Sequence, residues 1–232
     1  MTRAFFGLGT LAFLAVSPAS GQKTFVISSD SPAGSYRDGF VDSEDFQSAA
    51  GSSLGDPDAL EKGVNGDCLS AGQIRNSSSE KSYTIARQAV LFFKLPDLQS
   101  KKLKKAQLRL YLANLSHEDP KLPPPGTVSL WHDVLQNSTP LEATLAYAGT
   151  GQKKVGTLAD GKSGNGTLCE VDVTSWITQD YDKDPAGSRV AFFRLQLDNV
   201  KDYASATGKN VYEFHGGKQQ LFKPELVITT AP

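Results

Sequence analysis

The 232 residues, 39 % of them hydrophobic, are enough for one large β domain or two small ones. A formal net charge of -1 removes any bulk electrostatic case for nucleic acid or for an anionic membrane surface. Gly, Pro, Ser, Asn and Asp recur along the whole chain, the usage of an all-β protein with many turns.

In chain order, residues 1–21 read as a secretory signal peptide. Arg3 supplies a short positive start, residues 4–16 an apolar run too short to span a bilayer, and Ser17, Ala19, Ser20 and Gly21 a small-residue cleavage region. No later stretch is long and apolar enough for a membrane span, so residues 22–232 are expected to be exported as one domain. Residues 23–27 form a short β-branched run, the first expected strand. The polar segment 28–55 follows as a loop with a short strand. It carries Asp38, Asp42, Glu44 and Asp45, oxygen donors of the kind a structural Ca²⁺ takes. Their spacing is not that of an EF-hand loop, and a solvated acidic loop is the plainer reading. Residues 60–64 predict a short strand, Asn65-Gly66 a turn, and 70–82 a polar loop.

The strongest pattern is in residues 88–115. Positions 90–95 are almost all apolar, as in a strand covered on both faces, and Pro96 ends it because proline donates no ladder hydrogen bond. Ala106, Leu108, Leu110 and Leu112 then alternate with Gln107, Arg109, Tyr111 and Ala113, the period-two mark of a strand with one face on a core. Lys101, Lys102, Lys104 and Lys105 keep the connection in solvent. This pair of strands is expected to sit centrally. A proline-rich connection leads to a strand over 127–134, with Ser129 and Trp131 on its outward face. Residues 141–148 fit a helical turn or a strand, and 149–166 a Gly- and Lys-rich loop broken by a short strand near Val155. Further strands are expected over 168–173, 190–197, 211–214 and 225–229, with a short helix over 174–181 capped by Thr174. Many short strands with turns between them and almost no helix argue for an antiparallel sandwich or jelly roll.

Cys68 and Cys169 are the only cysteines. In an oxidising compartment an even pair predicts a disulfide, worth on the order of 4 kcal/mol for so long a loop. Two separate buried thiols are the alternative. Neither has the spacing of a zinc site.

Several segments, taken in order, resemble one family. They are Tyr36-Arg37-Asp38-Gly39, Gly55-Asp56-Pro57-Asp58-Ala59-Leu60, residues 89–98 and 103–112, Glu170-Val171-Asp172-Val173-Thr174-Ser175-Trp176-Ile177, residues 212–217, and Pro224-Glu225-Leu226-Val227-Ile228-Thr229. Together they look like the DNRLRE domain, also treated as carbohydrate-binding module 96. The chain departs from that pattern after Trp131, at Phe214-His215-Gly216-Gly217-Lys218, and in a longer 64–86 region. The resemblance implies a jelly-roll β-sandwich that binds extracellular polysaccharide without chemistry; jelly-roll binding modules in general often carry a structural calcium, the ion weighed above for Asp38, Asp42 and Asp45.

Sugar binding needs a flat aromatic face with hydrogen-bonding groups around it. Arg109 and Tyr111, with Ser129 and Trp131 if the two strands are neighbours, would form one platform. His132, Tyr203 and His215 are further candidates near strand ends. Trp176 is expected to anchor its helix to the core. No nucleophile elbow, zinc-protease motif or phosphate loop is present, so non-catalytic binding is preferred to an enzyme. A structural or adhesive protein without a sugar ligand is the competing reading.

Overall fold

The computed structural model describes residues 22–28, 39–43, 68–77, 82–99, 101–118, 126–133, 153–183, 189–198, 208–217 and 221–232. The expected elements over 60–64 and 141–148 lie outside these residues, as does the expected signal peptide over 1–21. The described elements, in order, are β1 (Thr24–Ser28), β2 (Gly39–Ser43), β3 (Cys68–Ser77), β4 (Ser82–Lys94), β5 (Leu103–His117), β6 (Val128–Asp133), β7 (Lys153–Ala159) and β8 (Leu168–Asp172). The helix α1 (Thr174–Lys183), β9 (Val190–Leu197), β10 (Gly208–His215) and β11 (Glu225–Thr230) complete them. The protein is all-β, and every described pairing is antiparallel. The strands follow one open path, β1-β11-β5-β10-β3-β4-β9-β6-β7, with β8 added on β5 and β2 on β4.

Two long strands organise this path. Leu108 and Arg109 of β5 face both β8 and β11, so those two strands take opposite edges. The next residues of β5 toward its C-terminus, 112–117, pair with β10. β10 and β11 are thus laid end to end along β5. The same holds for β4: Ala86 and Arg87 pair with both β3 and β2, while Ala89 and Val90 pair with both β9 and β2. β3 and β9 therefore share one edge of β4 and β2 takes the other. The two strands legible as central in the sequence are central, but they do not pair with each other. Each anchors its own limb of the sheet.

One buried cluster draws on both limbs, which makes the fold sandwich-like. It includes Leu91 and Phe93 of β4, Leu108, Leu110 and Leu112 of β5, Phe193 and Leu195 of β9, and Leu226 and Ile228 of β11. Each such side chain contributes roughly 1.5–3 kcal/mol through the apolar surface it removes from water. The alternation of β5 breaks at a bulge. Glu213 faces Asn114 while Phe214 faces Leu112, leaving Ala113 unpaired. The extra residue resets the parity, so that Leu115 again packs against the core opposite Tyr212.

Two expectations need correction. The segment read as a loop over 70–82 is mostly strand: β3 runs to Ser77, and β4 starts at Ser82 rather than 90. Small and polar residues hide β3, because its neighbour β10 comes too close for side chains at Gly72. A Cβ there would lie 2.2 Å from the Asn210 carbonyl oxygen. The helix also starts differently. The Thr174 hydroxyl accepts the Ala106 N–H across to β5 at 2.9 Å, and the Thr174 N–H donates to Asp172 Oδ1 at 2.9 Å. Asp172 thus satisfies the helix terminus, and hydrogen bonding from the Thr174 side chain and backbone holds its carboxyl below the usual range. No helix among the described residues is long and apolar enough to cross a membrane.

Candidate functional site

The outward face of the β1–β11–β5–β8 limb follows from the register, because residues directly opposite in a ladder point to the same side. With Leu108 and Leu110 in the core, Gln107, Arg109 and Tyr111 point out. Opposite them stand Asp172, Glu170 and Leu168 on β8, and Val227 and Glu225 on β11. Val26 of β1 extends the same face beside Val227. The exposed large apolar side chains among the described residues all lie on this face or in the β10–β11 connection beside it: Val26, Leu168, Leu221 and Phe222.

The connection folds back so that Phe222 sits between two rings of the sheet. Its centroid is 4.9 Å from that of Tyr111 and 5.6 Å from that of His215. Phe222 remains 53 % exposed, and it adopts φ +62, a left-handed conformation that bulky side chains rarely take. Next to the rings, Arg109 Nε donates to Glu170 Oε1 at 2.8 Å, with both side chains about one-third exposed. Rings for stacking and a planar guanidinium–carboxylate pair thus lie side by side on an open sheet surface.

The structure brings Arg109, Tyr111 and His215 of the expected ligand set into one neighbourhood. It separates the others. Trp131 and Ser129 do not extend the platform, because β6 pairs with β9 and β7 and never meets β5. Ser129 is fully buried, and the Trp131 indole nitrogen is buried opposite Arg194 of β9. His132 is not available to a ligand either. It is 1 % exposed, its Nε2 lies 3.0 and 3.1 Å from the two carboxylate oxygens of Asp180, and the rings of Trp176 and Phe193 pack against it. Burial pushes the Asp180 carboxyl above its usual range, and the hydrogen bond with His132 pulls it back. Trp176 packs against the core, as the sequence predicts. Tyr203, Asp38 and Asp45 lie outside the described residues, and Asp42 falls on β2, whose side chains are not described. Among the described residues, no group of three or more His, Cys, Asp and Glu side chains comes together to hold a metal.

The disulfide expectation is corrected. Cys169 is a free, buried thiol whose Sγ points to the Thr167 carbonyl at 3.9 Å, so no bond to Cys68 is formed. It faces the core from β8, opposite Leu110, and burial pushes its pKa up to about 11.

Phe222, Leu221, Leu168 and Glu170 are site residues that the sequence reading missed. Two signals carry them. Leu221-Phe222 is an apolar pair in an otherwise polar turn before Pro224, and period two in β8 puts Leu168 on the same side as Glu170 and Asp172. Compared with known proteins, the chain matches no family model and no curated protein.

Proposed function

We propose that the protein is a secreted, non-catalytic jelly-roll module of the DNRLRE type that binds extracellular polysaccharide through the outward face of the β1–β11–β5–β8 limb. The observation that carries this reading is the ring cluster of exposed Phe222 with half-buried Tyr111 and His215, beside the Arg109–Glu170 pair. Aromatic faces accept the C–H face of a sugar ring, and the guanidinium and carboxylate offer hydrogen bonds to its hydroxyls. The strained conformation of Phe222 supports it further, since a bulky left-handed residue persists where its side chain is needed. The order of family-like segments agrees with the same reading. So does the burial of His132: the histidine best paired with a carboxylate is sealed from solvent, which argues against its use in catalysis.

The test is affinity electrophoresis of the purified chain through a panel of polysaccharides, with product release followed in parallel. One glycan class should retard the wild type without product release. Tyr111→Ala should weaken retention roughly 3- to 10-fold, the value of about 0.5–1.5 kcal/mol for an aromatic contact. Phe222→Gly should do the same while keeping or raising the melting temperature, because glycine adopts φ +62 without strain. Retention unchanged in both variants would overturn the platform.

The exposed Leu168, Leu221 and Val26 favour a second reading, protein or self docking on the same face. Concentration-dependent association that Phe222→Gly abolishes, with no glycan retained, would establish it instead.

A further inference from the structure

We infer that the open edge of β1 pairs with β1 of a second copy of this chain, antiparallel and in a register centred on Val26, so that two sheets join edge to edge. Among the described residues β1 pairs with β11 alone, and it ends the strand path. A bare strand edge is a template for another strand unless something blunts it. At the opposite end of the path, β7 carries Lys153 and Lys154 and is thrown out of step with β6 by two register shifts. On β8, exposed Glu170 and Asp172 do the same service. β1 has no such protection. Thr24-Phe25-Val26-Ile27-Ser28 holds no charge and no proline, and its register with β11 runs without a bulge.

The ladder fixes which backbone groups are open. The Thr230 N–H donates to the Lys23 carbonyl at 2.9 Å, one step before the Thr24–Thr229 pair. In an antiparallel ladder the residues that bond a given neighbour alternate. Lys23, Phe25 and Ile27 therefore address β11, and Thr24, Val26 and Ser28 turn their N–H and C=O groups to the open side. Setting Val26 against the partner's Val26 sets Thr24 against the partner's Ser28, and Ser28 against the partner's Thr24. Every open residue of β1 then falls in a hydrogen-bonded pair that exchanges two N–H···O bonds. A shift by one residue sets open groups against residues already bonded to β11, so the register is strongly specified.

The side chains fit the same register. Phe25 and Ile27 are half-buried and pack on the core from the inner face. Phe25 comes directly opposite the partner's Ile27, and Ile27 opposite the partner's Phe25. Such aromatic–β-branched pairs are among those that stabilise a sheet. On the outer face Val26, 60 % exposed, meets the partner's Val26, and exposed Thr24 meets the partner's Ser28. The nearest charge, Lys23, turns its Nζ to Gln99 Oε1 of its own chain at 2.6 Å. The contact is isologous, so it closes as a dimer.

Five residues a side are few beside the roughly 20–30 of a standard interface. The dimer is therefore weak, and forms at high protein concentration or where copies gather on one polymer. Its two-fold axis stands perpendicular to the sheet, so the outward faces of both copies look the same way and present two ring clusters side by side. That consequence rests on the glycan reading above; the pairing does not.

The experiment is sedimentation velocity of the purified chain from about 10 µM to 1 mM, the range of a weak interface. The wild type should move toward the dimer as concentration rises. Val26→Lys sets like charges directly opposite at the axis and should weaken association at least ~10-fold, at an exposed position where the fold tolerates it. Val26→Thr and Phe222→Gly should associate within about 2-fold of the wild type, since neither alters the ladder. A second readout holds even if the lysine variant fails to fold. The Cα atoms of a hydrogen-bonded pair stand about 5.5 Å apart, within reach of a disulfide. Val26→Cys should therefore give a reducible covalent dimer on mild oxidation, where the wild type and Leu168→Cys, exposed on the same face, do not. Absence of both association and the Val26→Cys cross-link would overturn the pairing. Association that survives Val26→Lys, or that Phe222→Gly abolishes, would overturn it in favour of docking through the sheet face.

Discussion

Cys169 illustrates how a residue's chemistry follows from its surroundings. Its thiol ordinarily ionises near 9.0, but burial in β8 pushes this up to about 11. Between those values the unfolded chain releases the proton and the folded chain keeps it. Folded protein then binds more protons than unfolded, so stability falls as pH rises through that window. Denaturant unfolding from pH 8.5 to 11 should record the loss, and Cys169→Ala should flatten it relative to the wild type. Tyr212, pushed up to about 12 by burial, adds a further decline that begins near 10 and persists in that variant. In denaturant the chain should titrate two thiols with a disulfide-exchange reagent. A count of zero would mean that Cys68 and Cys169 pair after all.

At the scale of the element, β3 owes its place to a missing side chain. Gly72 faces both β4 and β10, and a Cβ at this position would lie 2.7 Å from Val211 Cα as well as against the Asn210 carbonyl. Both are backbone atoms held in a ladder, so neither yields cheaply. Gly72→Ala should therefore cost roughly 2–4 kcal/mol, beyond the gain that alanine normally brings to an extended segment. For a chain of this size that is a fall of about 5–15 °C in melting temperature, measurable by calorimetry. A stable Gly72→Ala protein would mean that β10 and β3 pack further apart. The same closeness explains why β3 was hard to read: a strand made of Ser70, Ala71, Gly72 and Gln73 carries no alternation of large apolar residues.

At the scale of the whole molecule, the two limbs are tied through α1. The helix follows β8 and leans on the core through Ile177, while its Asp180 reaches His132 on β6 of the other limb. Tyr181 adds a bond from its hydroxyl to the Pro96 carbonyl at 2.7 Å. Removing one member of a buried hydrogen-bonded pair leaves the other unsatisfied, typically at about 1–3 kcal/mol. His132→Ala and Asp180→Ala should each destabilise by that order, and the double variant should cost clearly less than the sum. Strict additivity in that cycle would show that the pair does not couple the limbs.

Much of the architecture is legible in the residues themselves. Period two in β5 fixed which side chains point outward, so Arg109 and Tyr111 were found. The apolar run of β4, the stop at Pro96 and the short helix after Asp172 were equally local signals. These are properties of neighbours in sequence, set by pleat geometry and backbone hydrogen bonding. Which strands lie side by side is not such a property. Pairing β5 with β8, β10 and β11 depends on contacts between distant segments, and it alone decided that Trp131 stays away from Tyr111 while Phe222 comes to it. Tertiary packing likewise buried His132 against Asp180 and left Cys169 without a disulfide partner, because burial and partnership depend on what the rest of the chain brings alongside.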